Sequence, residues 1–258
     1  MAAGNLGTIS LDDADVDYDD YVGVLEGGVL NRSERMLDAY TDLESQFRDQ
    51  FEEEVTEDPD RHLDSSDGVE AFRTELADVY EERLYPTLSS AGEEDIGGYA
   101  EFQDTMRTLS ELNYVRFYEQ LEDGRSAVSK TRNHSSNALT LLNEVGEILT
   151  EKGYTHETKE PIKERFSESK RQLKAANRRR HAASATVKRC YFYYFTGELL
   201  REKYGLEPAE YRYVDFDEPI RERLDRVREE FVRQAKQISH GRRSLQHKIE
   251  YIKKNYDL

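Results

Sequence analysis

Apolar residues recur at three- and four-residue steps along most of the chain, the spacing that lines one face of an α-helix. Met36, Tyr40, Leu43, Phe47, Phe51 and Val55 form the first such stripe. Asn31 precedes it as an N-cap with Glu34 three residues on, the spacing of a capping box, and Pro59 ends it. Asp67 and Glu70 repeat the pattern ahead of Val69, Phe72, Leu76, Val79, Tyr80 and Leu84. This second helix stops at Tyr85–Pro86, because the residue before a proline avoids helical backbone. Residues 86–98 (PTLSSAGEEDIGG) then read as a loop. A third helix is predicted over 99–121 on Phe102, Met106, Leu109, Leu112, Phe117 and Leu121, with Gly124 suited to its C-terminus. A fourth, over 126–150, carries Val128, Leu139, Leu142, Val145 and Leu149 and is closed by Gly153.

Two longer helices follow. The first runs over 158–204 with Pro161 tolerated in its first turn, and its stripe includes Ile162, Phe166, Leu173, Ala176, Ala183, Val187, Cys190 and Tyr194. Residues 205–218, with Tyr211, Tyr213 and Phe216, are the one stretch suited to extended backbone. The last helix begins near Pro219, continues almost to Leu258, and keeps a 3.5-residue step through Ile220, Leu224, Val227, Phe231, Ile238, Leu245 and Ile252. At about 1.5 Å per residue it reaches about 58 Å, so one end is expected to project or to meet another chain. The fold class is all-α: a multi-helix bundle of about six helices with a long C-terminal helical hairpin. Three stretches are distinguished: an acidic arm at 1–29, an acidic helical bundle at 30–153 and a basic long-helix hairpin at 154–258.

Charge changes this picture. The 258 residues hold 54 acidic and 37 basic side chains, a net charge of −17. Residues 1–125 carry 34 acids and 9 bases, whereas residues 126–258 carry 20 acids and 28 bases. Eleven of those bases, against three acids, fall in Lys159–Arg189. Only 12 of the bases are lysines, and none precedes Lys130. Dense carboxylates with few lysines suit a protein working in molar salt, where carboxylates hold water and long apolar stems are driven together. The longest conspicuous apolar run, Cys190–Phe195, has six residues, far short of a membrane span, and the first residues lack a signal-peptide pattern. One cysteine makes neither an internal disulfide nor a cysteine-based zinc site. The expectation is a soluble protein of the cytoplasm, or of a virion assembled there.

The basic tract is the main candidate for binding. On a helix, Lys170, Arg171, Lys174, Arg178, Arg179, Arg180 and Arg189, with Lys163, His181 and Lys188, present a cationic side. Such a side can meet an acidic protein partner or track the phosphates of a nucleic acid. Phosphate binding fades as salt rises, which favours the protein partner under halophilic conditions. Next to the tract, Tyr191–Phe195 places five aromatics in succession, too many for one helix face. They belong to a core, to an interface through Tyr191, Tyr193 and Tyr194, or to both.

Other chemistry is thin. Asp15, Asp17, Asp19 and Glu26 imitate the spacing of a calcium-binding loop, with Val22 at the apolar eighth position, but Asp20 stands where that loop needs glycine. An ion-solvating arm is the expected reading. The six histidines match no metal spacing, and no phosphate loop or nucleophile turn is present. Cys190 beside Arg189 reads as a buried, inert thiol among aromatics. No catalytic residues, metal or cofactor are assigned. The expected function is that of a non-enzymatic helical assembly protein of a halophilic system, docking or self-associating in a larger particle such as a virion connector or adaptor. The alternative is a nucleic-acid-binding protein using the arginine-rich helix.

Overall fold

Long seams of buried residues set the architecture. The computed structural model describes residues 6–10, 13, 16–216 and 219–256. The α-helices among them are α1 (Tyr18–Leu30), α2 (Glu34–Glu57), α3 (Ser66–Val79), α4 (Tyr85–Asp95), α5 (Tyr99–Lys152), α6 (His156–Tyr204) and α7 (Ile220–Asn255). The fold is all-α, as the periodicity predicts. No strand is found among the described residues, where the only extended pairing is an isolated parallel bridge between Ile9 and Val214. The buried Glu111 carboxylate fixes that segment by accepting the backbone N–H of Tyr213.

Several boundaries differ from the sequence pattern, each for a local reason. α1 occupies part of the presumed arm: Asp17 is its N-cap, and Leu25 and Val29 are buried. The N-cap of α2 is Ser33 rather than Asn31, its side chain accepting the Met36 N–H at 3.3 Å. Tyr85–Pro86 does not end the chain's helical path. A π-helical turn, Tyr80–Leu84, leads into α4, and Pro86 sits in the first turn of α4, where its missing N–H costs nothing. Gly124 likewise does not end a helix. Phe117, Leu121, Gly124, Val128, Thr131, Ser135, Ala138, Leu142 and Val145 are all buried at three- and four-residue steps, so one seam runs unbroken through Gly124 within the 54-residue α5.

By contact the chain divides into two units, Met1–Gly124 with Ala185–Arg226, and Arg125–Ser184 with Val227–Leu258. α5, α6 and α7 each contribute residues to both. The first unit contains 43 acids and 16 bases, a net of −27, and the second 11 acids and 21 bases, a net of +10. Charge therefore segregates by unit more sharply than by half-chain.

The acidic unit has an aromatic core. Phe192 lies 5.3 Å from Phe47, Phe51 lies 5.7 Å from Phe72, and Phe195 lies 6.1 Å from Phe72, measured between ring centroids. In the basic unit three helical segments pack together. Val145 of α5, Ile162 of α6 and Ile252 of α7 form a buried cluster flanked by Phe166 and Tyr256. The last turns of α7 are thus packed against α5 and α6 within this unit. Ser135 donates to Gln234 at 2.7 Å inside the same bundle, a polar contact of the kind that fixes helix register.

Candidate functional site

The arginine-rich stretch of α6 is distributed among three environments. Lys170, Lys174 and Arg178 follow one another at four-residue steps and are exposed, as are Arg171 and Arg179. Arg171 pairs with Glu168 at 2.7 Å, one helical turn away. Arg180 faces inward instead. It is 6% exposed, and its guanidinium stacks over the Phe231 ring at 4.8 Å, so it serves packing in the basic unit. Arg189 and Lys188 belong to the acidic unit and are consumed there. Arg189 binds Glu52 at 2.9 Å and Gln120 at 3.1 Å, and Lys188 is fully buried against Glu54. Arg180 is therefore corrected from a binding residue to an internal one, and Arg189, partly exposed, is taken up by its pair with Glu52.

The aromatic turn resolves in the same direction. Tyr191 through Phe195 are all buried within the acidic unit, which surrounds this turn of α6 with α2, α3 and α5. Each tyrosine hydroxyl finds a carboxylate: Tyr191 donates to Asp225 at 2.7 Å, Tyr193 to Glu44 at 2.5 Å and Tyr194 to Glu198 at 3.0 Å. The three proposed interface aromatics are core residues, because a helix enclosed on every side can bury five rings in succession. Cys190 lies in the same core, where burial pushes its thiol well above the ordinary range.

The exposed cations of α6 line a groove. Its volume is about 750 Å³, and its walls are α6 and α7 of the basic unit. Lys170, Lys174 and Arg178 stand along one rim, and Arg242 and Lys253 along the other. Among the described residues none of the five forms an ion pair, although Glu250 lies in the same groove. In the acidic unit many arginines are matched, as in Arg32 to Asp104, Arg73 to Glu198 and Glu202, and Arg221 to Glu70. The groove floor is apolar. Leu173 is buried, while Leu245 and Ile249, one turn apart on α7, are partly buried and present their remaining surface to the groove.

Sequence reasoning found the α6 rim and missed the α7 wall. The signal was Ile249, an apolar residue beside the seam defined by Ile238, Gly241, Leu245 and Ile252, with Arg242 and Lys253 on the same side. A helix whose apolar face is wider than its buried seam has surface left to cover.

A second hollow, about 330 Å³ in the acidic unit, is closed electrostatically. Glu44 accepts from both Tyr193 and Arg116, and Arg116 also binds Glu26. Burial, followed by the neighbouring charges of Asp123 and Asp19, raises the Glu119 carboxyl there. The calcium-loop pattern does not form: Asp19 and Glu26 are helical residues of α1, and Asp15 lies outside the described residues. Among the described residues no three His, Cys, Asp or Glu side chains are placed to hold a metal ion, and no helix is long and apolar enough to cross a membrane.

Compared with protein-family models, curated proteins and solved structures, the chain has no match.

Proposed function

We propose that this protein is a non-enzymatic assembly protein of a halophilic system, which receives an acidic amphipathic helix of a protein partner in the α6–α7 groove. One observation carries the reading: five cations without ion-pair partners border an apolar floor formed by buried Leu173 and partly exposed Leu245 and Ile249. A phosphate backbone uses the cations and gains nothing from the floor. An amphipathic helix uses both, with apolar residues down and carboxylates toward each rim. The composition supports the same choice. At about 1 M salt the Debye length is about 3 Å, so only rim charges in near contact contribute, while salt strengthens apolar burial. The interaction is thus built for a medium that weakens phosphate recognition.

The test is a titration of the full chain with two labelled probes, a synthetic acidic amphipathic peptide and a DNA duplex, followed by fluorescence polarisation from low salt to about 3 M KCl. The peptide is expected to bind at molar salt and to be released by reversing Lys170, Lys174 and Arg178 to Glu. DNA binding that persists at molar salt and is abolished by the same reversal, with no peptide binding, would establish the nucleic-acid reading in its place.

A further inference from the structure

We infer that the helix received by the groove is α1 of a second copy of this chain, so that copies join head to tail. This rests on the docking reading above and names its occupant. Val24 and Leu30, 37% and 48% exposed, are two of the four large apolar residues exposed among the described residues, and both lie on α1. At 100° per residue they mark the two edges of one outward face, opposite the buried Leu25 and Val29. Between them the face carries Gly23, Gly27 and the exposed Asp20, and nothing stands within 4 Å of a Cβ built at either glycine, so it is open.

Charge supplies the second half of the match. Asp17, Asp19 and Asp20 gather at the start of α1 and face no lysine or arginine in an ion pair among the described residues. The groove has the reverse pattern. Lengths also agree: the 13 residues of α1 extend about 20 Å, and the α7 rim from Arg242 to Lys253 about 16 Å. Each copy owns one donor helix and one acceptor groove, in units of −27 and +10. Such a heterologous contact closes into a ring or continues as a filament.

The experiment is sedimentation velocity on the full chain in about 2 M KCl over a wide concentration range. The wild type is expected to grow beyond its 30.1-kDa monomer as concentration rises. Val24→Glu with Leu30→Glu, and separately Lys170→Glu with Lys174→Glu, should each stay monomeric. Mixing those two variants should give a dimer and nothing larger, because each retains the half that the other lacks. That dimer also requires both variants to be folded. A wild type that is monomeric throughout, association unchanged in either variant, or a mixture that stays monomeric would overturn the inference. If the acidic peptide still binds in that case, the docking reading stands and only its occupant is wrong.

Discussion

The Lys188 ammonium lies 2.6 Å from the Glu54 carboxylate, with the lysine side chain wholly buried and the glutamate 9% exposed. Gln50 and Arg61 also reach Glu54, at 3.0 Å each. Removing the carboxylate strands a charge that water cannot reach. Glu54→Gln is expected to cost about 3–5 kcal/mol in denaturant unfolding, whereas Lys188→Met combined with Glu54→Leu should come close to the wild type.

The same pair sets an acid limit. Burial acts to raise the Glu54 pKa, but the hydrogen bonds from Lys188 and Gln50, with the charges of Lys188 and Arg61, outweigh it and hold the carboxyl below its usual value. A lowered carboxyl contributes stability that is present above the usual range and lost as pH falls through the lowered pKa, from about pH 4 downward. Melting temperatures recorded against pH should show this loss in the wild type, and a shallower one in Glu54→Gln.

Gly197 of α6 is fixed by its neighbours. A Cβ there would lie 2.8 Å from the Tyr114 ring, and Ser110 donates to the Gly197 carbonyl at 2.8 Å. The ring has no free direction, since Phe216 stands against it at 4.7 Å and Tyr211 at 6.0 Å between centroids. Gly197→Ala should therefore destabilise by about 1–3 kcal/mol, outweighing the gain of about 1 kcal/mol in helix propensity. Urea unfolding at fixed salt measures the difference.

The packing around Gly197 also shows where reading the sequence succeeds. Periodicity places α2, α3, α6 and α7 because their seams carry large apolar residues at nearly every step. It breaks α5 at Gly124 because the next seam positions include Thr131 and Ser135, which are small and polar yet buried. Their hydroxyls are satisfied locally, Thr131 by the Ala127 carbonyl and Ser135 by Gln234, so burial leaves no hydrophobic trace. For the site, Lys170, Lys174 and Arg178 were legible as a four-residue series. Arg180 and Arg189 carry the same charge in the same tract, and only the tertiary positions of Phe231 and Glu52 show that both are engaged within the chain.

Alkaline pH should unfold the acidic unit. Burial pushes the hydroxyls of Tyr40, Tyr80, Tyr114 and Tyr193 well above their ordinary value, and those of Tyr204 and Tyr211 up to about 12. A tyrosine whose folded pKa is raised adds stability that is complete below its unfolded pKa of about 10 and is lost as pH climbs toward the raised value. Absorbance at the phenolate band is expected to rise in two stages, an early reversible one and a later one coincident with loss of helical circular dichroism. A single stage near pH 10 with the helix intact would show that these hydroxyls are open to solvent.

The groove floor separates apolar docking from charge attraction. Leu245 and Ile249 are partly buried, so replacing either with Ser should cost the fold about 1–2 kcal/mol, whereas Leu173→Ala, at a buried position, should cost about 2–5 kcal/mol. Binding should respond in the opposite order to stability. If the floor takes the apolar side of a docked helix, Ile249→Ser loses about 1.4 kcal/mol of peptide affinity, a tenfold change, and the loss persists at molar salt where the rim charges are screened. If the rim alone attracts the peptide, affinity follows salt concentration and is indifferent to Ile249. Peptide titrations of both α7 variants at low and molar KCl decide between these outcomes, since only burial of an isoleucine grows stronger as the ions are added.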